Sequence, residues 1–169
     1  MILSARPRND RQAPIAKGSE VTTLQQLVDE RDVKAVVVRY ANSLDRHDWA
    51  GFRECFAPQV AVDMSSLRGG TASIMDVDDW VRRVQATAAV FNKTLHYISN
   101  QEIEMMGDEA VCCSHLCARH WKSDETNGQG NYVVVYGIYT HRVRRTLSGW
   151  RITGVALDCR KTEGSFGDR

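Results

Sequence analysis

Ala110-Val111-Cys112-Cys113-Ser114-His115-Leu116-Cys117-Ala118-Arg119-His120-Trp121-Lys122 alternates along its whole length. In an extended chain Cys112, Ser114, Leu116, Ala118 and His120 share one face, and Cys113, His115, Cys117, Arg119 and Trp121 share the other. The first face is small and apolar and ends in an imidazole, which suits the wall of a pocket. The second suits a half-exposed surface or a contact with another subunit. Three further runs read as strands: residues 95–106, 131–144 and 150–161. Gly107-Asp108, Asn127-Gly128-Gln129-Gly130 and Ser148-Gly149 separate them, and each is a hairpin signal. In the run 131–144, parity alone leaves two sets open for the inner face. One is Tyr132, Val134, Tyr136, Ile138 and Thr140; the other is Asn131, Val133, Val135, Gly137, Tyr139 and His141.

Upstream, the period changes from two to between three and four. Thr22 or Thr23 can cap a helix that runs to about Arg46, with Leu24, Leu27, Val28, Val33, Val37, Tyr40, Ala41 and Leu44 forming one stripe. Asp48 can cap a second helix from Trp49 to Phe56, closed by Pro58. Val60 to Met64 reads as a strand, and Arg68-Gly69-Gly70 as a turn or mobile loop. Asp76 or Asp78 can open a third helix reaching Phe91, with Trp80, Val84, Ala88 and Phe91 on one side. Helices followed by a meander of long strands give an α+β domain, its helices packed on the concave face of a curved, mainly antiparallel sheet.

The chain has 169 residues and a net charge of +1, with 25% charged and 43% hydrophobic residues. That is enough for one domain with its own core. The balanced charge argues against a nucleic-acid partner, and no apolar run approaches the ~20 residues of a membrane span. The Arg-rich start has no signal-peptide block, so a cytoplasmic location is expected. The expected organisation is an arm over 1–21, a domain over 22–162 and a tail over 163–169. Cys55, Cys112, Cys113, Cys117 and Cys159 are an odd set and read as reduced, mostly buried thiols.

Asp45, at the edge of the first helix stripe, and His96, at the start of a strand, are the candidate chemistry. A carboxylate that holds an imidazole fixes its tautomer and raises its basicity. Each also has a plain structural reading. Asp45 alone fits a helix-terminal acid, His96 a hydrogen-bonded structural histidine, and Tyr40 a core aromatic. His47, His115 and His141 read as surface or packing residues. No phosphate loop, nucleophile elbow, dinucleotide fingerprint or metal-ligand spacing is present in the sequence, and neither metal nor cofactor is expected.

The pattern Tyr40-x4-Asp45-x2-Asp48-Trp49 followed by Phe56-Ala57-Pro58 resembles the opening of SnoaL-like proteins of the nuclear transport factor 2-like superfamily. His96, Gly107-Asp108-Glu109-Ala110, Tyr136-Gly137-Ile138-Tyr139 and Gly149-Trp150-Arg151-Ile152 extend that resemblance over roughly 22–162. The Asp–His pair is most similar to the branch that holds scytalone dehydratase, bile-acid 7α-dehydratase and hexachlorocyclohexane dehydrochlorinase. The resemblance implies a cone-shaped α+β barrel of the cystatin-like kind, with a deep apolar pocket and often a homotrimer, a dimer being the alternative. It implies Asp45 as the acid that orients His96, and His96 as general base. Tyr40 matches the tyrosine of the bile-acid enzyme, and His120 matches a second histidine. Leu44 and Met64 stand where scytalone dehydratase has tyrosines, and Tyr139 where it has an asparagine. Together with Trp80 these imply a more apolar binding pocket, suited to a polycyclic, polyketide-like or steroid-like molecule.

The implied function is a cofactor-free, dehydratase-type lyase. Isomerisation and aldol-type cyclisation begin with the same deprotonation. A non-catalytic binding or assembly module, such as the β subunits of ring-hydroxylating dioxygenases, is the reading from another class. The separation of Asp45 and His96, and whether the pocket around them is open, discriminates between these.

Overall fold

The computed structural model describes residues 23–122 and 132–164. The arm over 1–21, the turn at 127–130 and the end of the tail, 165–169, lie outside the described residues. Helix α1 (Leu24–Arg46) opens with a reciprocal cap. The Gln26 N–H donates to the Thr23 hydroxyl, and the Thr23 N–H donates to the Gln26 side chain at 2.6 Å. It ends at His47, whose φ of 53° is left-handed. Asp48 caps the short α2 (Trp49–Glu54) by accepting from the Gly51 N–H at 2.9 Å.

Pro58 does not close that helix. α2 stops at Glu54, and Pro58 lies inside β1 (Phe56–Asp63), in a stretch where pairing is interrupted. A residue without an N–H is tolerated there because no ladder bond is required of it. The turn expected at 68–70 is preceded by a one-turn helix, α3 (Ser65–Arg68), and followed by a short edge strand, β2 (Ser73–Asp76). Asp76 then caps α4 (Val77–Ala88). Four long strands complete the chain: β3 (Lys93–Met106), β4 (Glu109–Trp121), β5 (Tyr132–Thr146) and β6 (Gly149–Gly164).

The sheet order is β2-β1-β6-β5-β4-β3. All neighbours run antiparallel except β1 and β6, which are parallel. The sheet is curved but open, with β2 and β3 as its two edges. Bulges supply the curvature and reset the side-chain parity. On β3 an extra residue lies between Ser99 and Glu102, where Asn100 takes φ 51°. Before it Thr94, His96 and Ile98 face inward; after it Ile103 and Met105 do. On β6 the step around Thr153 does the same, so Trp150 and Ile152 face the core and then Val155 and Leu157. On β5 the inner set is Val133, Val135, Gly137, Tyr139, His141 and Val143.

Gly137 sits at a register shift against β6, where a Cβ would lie 2.4 Å from the Asp158 carbonyl oxygen. That neighbour is backbone and cannot swing away. Gly137→Ala is expected to destabilise the fold by about 1–3 kcal/mol, read as a lower urea midpoint at unchanged m-value.

The core lies between α1 and the concave face, built from Val33, Val37, Tyr40, Phe52, Ile152 and Val155 among others. The start of α1 is tied to the sheet by a charge cluster. Asp29, buried, pairs with Arg145 at 2.5 Å, and Arg145 also reaches Asp108 and lies over the Trp150 ring. The Arg145 hydrogen bond holds the Asp29 carboxyl below the usual range against the opposing effect of burial.

Candidate active site

Asp45 belongs to the last turn of α1, an unfavourable place for an anion because the helix dipole is negative there. Three donors offset this. The Thr94 hydroxyl donates to Oδ1 at 2.9 Å, the His96 backbone N–H donates to Oδ2 at 2.8 Å, and the His96 ring nitrogen Nδ1 lies 2.6 Å from Oδ1. Burial pushes the Asp45 carboxyl up, but the hydrogen bonds from His96 and Thr94 outweigh it and hold the group below its ordinary value. A carboxylate can only accept, so Nδ1 carries the proton and Nε2 is left with its lone pair. Side-chain exposure is 7% for His96 and 15% for Asp45, so the pair is largely shielded from water.

His96 lines a cavity of about 570 Å³; Asp45 does not, and stands behind it. This is within the usual size range of small-molecule sites. Tyr40, Leu44, Met64, Trp80, His120 and Tyr139, all expected at the pocket, line it as well. The inward face of β4 supplies Leu116, Ala118 and His120. Its outward residues Cys113, Cys117, Arg119 and Trp121 are half-buried, and His115 is exposed.

The His120 ring is 5.3 Å from that of His96, edge to face, and 4.9 Å from Phe91. Burial and the neighbouring His96 lower its pKa to about 4; Asp45 and the adjacent Val133 backbone oppose this weakly. At neutral pH His120 is therefore an uncharged imidazole. Tyr40 and Tyr139 meet edge to face at 5.9 Å, and their hydroxyls pair. Burial raises both phenols, Tyr40 well above its usual value, so both keep their protons. The cavity floor thus presents a lone pair from His96 beside neutral donors, walled by apolar side chains.

Two residues of the site were not anticipated. Thr94 shares the His96 face of β3, and strand parity around His96 would have found it. Arg68 lines the cavity from α3, and nothing in the local pattern of Arg68-Gly69-Gly70 marks it. His141, read as a surface or packing residue, is fully buried against Tyr40 and Tyr139, and neither ring nitrogen has a hydrogen-bond partner among the described residues. Its pKa is lowered to about 4 by burial.

Among the described residues, no group of three or more His, Cys, Asp or Glu is placed to hold a metal ion, and no helix is long and apolar enough to cross a membrane.

Comparison with known proteins adds four findings. The family model for the SnoaL-like domain matches residues 25–156. The scytalone dehydratase of Colletotrichum orbiculare is 25% identical over 146 residues, covering 82% of this chain and 77% of that protein. Among solved structures, the Kfla4162 protein of Kribbella flavida aligns with TM-score 0.76 at 25% identity, over 81% of this chain and 94% of that one. The type 3 hexachlorocyclohexane dehydrochlorinase of Novosphingobium barchaimii LL02 aligns with TM-score 0.67 at 11% identity, over 86% of this chain and 95% of that one, and so shares the fold.

Proposed function

The chain belongs to the SnoaL-like domain family, and from that premise we propose that it is a cofactor-independent acid–base lyase of the dehydratase type, acting on an apolar small molecule. One observation carries this reading: an Asp45–His96 contact of 2.6 Å at the wall of an open cavity of about 570 Å³. A structural histidine would need no cavity at its free nitrogen. The likeness to the Colletotrichum scytalone dehydratase supports the same class of reaction.

Nε2 of His96 takes a proton from carbon next to a carbonyl. Asp45 stabilises the imidazolium by holding Nδ1–H. The developing enolate oxygen takes a hydrogen bond from Tyr139 or Tyr40, buried neutral donors whose dipoles need not reorganise. Protonated His96 then returns the proton to the departing hydroxide, which leaves as water. His120, uncharged at neutral pH, assists as a hydrogen-bonding partner of the leaving group. Leu44, Met64 and Trp80 bind the apolar skeleton.

The test is a panel of polycyclic β-hydroxy ketones incubated with the protein in deuterium oxide without added cofactor. The expected result is enone formation, followed by absorbance. Carbon-bound exchange without enone would assign the same dyad to isomerisation or cyclisation. Neither exchange nor enone across the panel would sink the acid–base reading and favour a binding or assembly module.

A further inference from the structure

Among the described residues, the formal charges that line the cavity are of one sign: Arg68 and Arg83 do so, and no aspartate or glutamate does. The Asp45 carboxylate is engaged by Thr94 and His96 and lies behind the latter. The two arginines come from different elements, and Thr87 links them. Arg68 ends α3, which is fastened to the sheet: the Ser66 hydroxyl donates to the Leu157 carbonyl and accepts from the Cys159 N–H at 2.9 Å. Asp63 caps the same turn by accepting from the Ser65 N–H and hydroxyl. From there Arg68 Nη1 donates to the Thr87 hydroxyl at 3.3 Å. Thr87 stands one helical turn after Arg83 on α4 and donates to the Arg83 carbonyl at 3.1 Å. Residues at i and i+4 share a helix face, so both guanidinium-bearing side chains flank Thr87 at the cavity rim. Arg83 makes no ion pair with any described residue. Arg68 also acts inward: its charge opposes protonation of His120 and favours ionisation of Tyr139.

We propose that this rim binds the carboxylate of an apolar, carboxylate-bearing substrate, whose skeleton fills the cavity and whose acidic C–H lies against His96. The assignment rests on the acid–base reading above. A guanidinium fork matches a carboxylate with two parallel charge-assisted hydrogen bonds. Beyond Thr87 the interior offers the neutral donors of Tyr40, Tyr139 and His120 but, among the described residues, no cation, so a full carboxylate charge is better held at the rim while the neutral reacting end enters. The reversed orientation would set the carboxylate against the His96 face of the Asp45–His96 pair, where the negative charge of Asp45 behind the ring disfavours it. Binding energy gained at this remote group is available to position the reacting carbon.

The experiment uses three probes of one size: naphthalene-2-acetate, the uncharged naphthalene-2-acetamide, and 2-naphthyl phosphate. Their Kd values are measured by calorimetry on the full chain and on its His96→Gln variant. That variant removes the base, so recognition is read apart from catalysis. The acetate is expected to bind about 10–100-fold more tightly than the amide in both proteins, more weakly at high salt. The preference is expected to vanish in the Arg68→Gln/Arg83→Gln double variant, both positions being exposed and therefore tolerant of change. Equal binding of acetate and amide, binding of neither, or a preference that survives in the double variant would overturn the proposal. So would a preference lost in His96→Gln, which would give the anion to the imidazole. Tighter binding of the phosphate than of the acetate would overturn the assignment to a carboxylate. Failure of the acid–base reading shows elsewhere, in the absence of deuterium exchange, and leaves these binding ratios unaffected.

Discussion

Replacing His96 by glutamine is expected to lower turnover by about 10²–10⁴-fold, the usual contribution of a positioned general base, while the fold survives. The glutamine amide can still donate to Asp45 but has no basic nitrogen to present to the cavity. The main structural cost is the loss of the ring's hydrogen bond to a carboxylate that keeps two other donors, Thr94 and the residue 96 backbone. That leaves a stability loss of about 1–3 kcal/mol, to be checked by urea denaturation so that inactivity is not mistaken for unfolding. Asp45→Asn is the companion variant, since an amide that donates toward Nδ1 would force the ring into the tautomer with Nε2 protonated, a base with its lone pair on the wrong side. Both variants should lose enone formation and deuterium exchange together. An unchanged rate in His96→Gln removes His96 from the mechanism.

Replacing His141 by leucine is expected to make the protein more resistant to acid. The buried ring, which has no hydrogen-bond partner among the described residues, is held neutral, with its pKa lowered to about 4 by burial, against about 6.5 in the unfolded chain. A depressed folded-state pKa means that the unfolded state binds the proton first as the pH falls. The stability is fully present above pH ~6.5 and is lost progressively down to pH ~4. Between pH 7 and pH 4.5 this single group accounts for about 2–3 kcal/mol of lost stability. His120, with a similarly lowered pKa, adds to the same decline in the wild type and remains in the variant. The quantity to read is therefore the difference between the two proteins in their urea-denaturation free energy at pH 7 and pH 4.5. Equal acid sensitivity would show that His141 finds a partner in solution that relieves its burial.

The sheet shows how far local pattern reaches. Alternation in β4 placed Leu116, Ala118 and His120 on the pocket side, and the structure has them there. The same rule applied without interruption to β3 would turn Asn100, Glu102 and Glu104 inward after His96 and Ile98. The bulge near Asn100 resets the phase so that Ile103 and Met105 pack on the core instead. A bulge is a property of the pair of strands, and its energy depends on residues distant in sequence. For the same reason β5 left two faces open until its register against β4 and β6 chose Tyr139 over Tyr136 for the interior. The helices read more completely, because caps and stripes are local: Thr23, Asp48 and Asp76 each cap the helix they precede. Pro58 lacks an N–H, which by local rules reads as a helix stop, but it falls where β1 needs no donor.

What the sequence determined by itself was the set of elements apart from the short α3 and β2, the α+β class and the choice of Asp45 and His96 as partners worth testing. Each follows from interactions within a few residues, or from motifs quoted as such. What only the tertiary structure decided was where those groups stand. Asp45 lies behind His96 rather than on the cavity wall, the Thr94 hydroxyl reaches that carboxylate, α3 brings Arg68 to the rim beside Thr87, and His141 is sealed without a hydrogen-bond partner among the described residues. These placements depend on strand register, on the parallel joining of β1 to β6 and on the close packing of α1 in the sheet's concavity. Those contacts span tens of residues, and no local period encodes them.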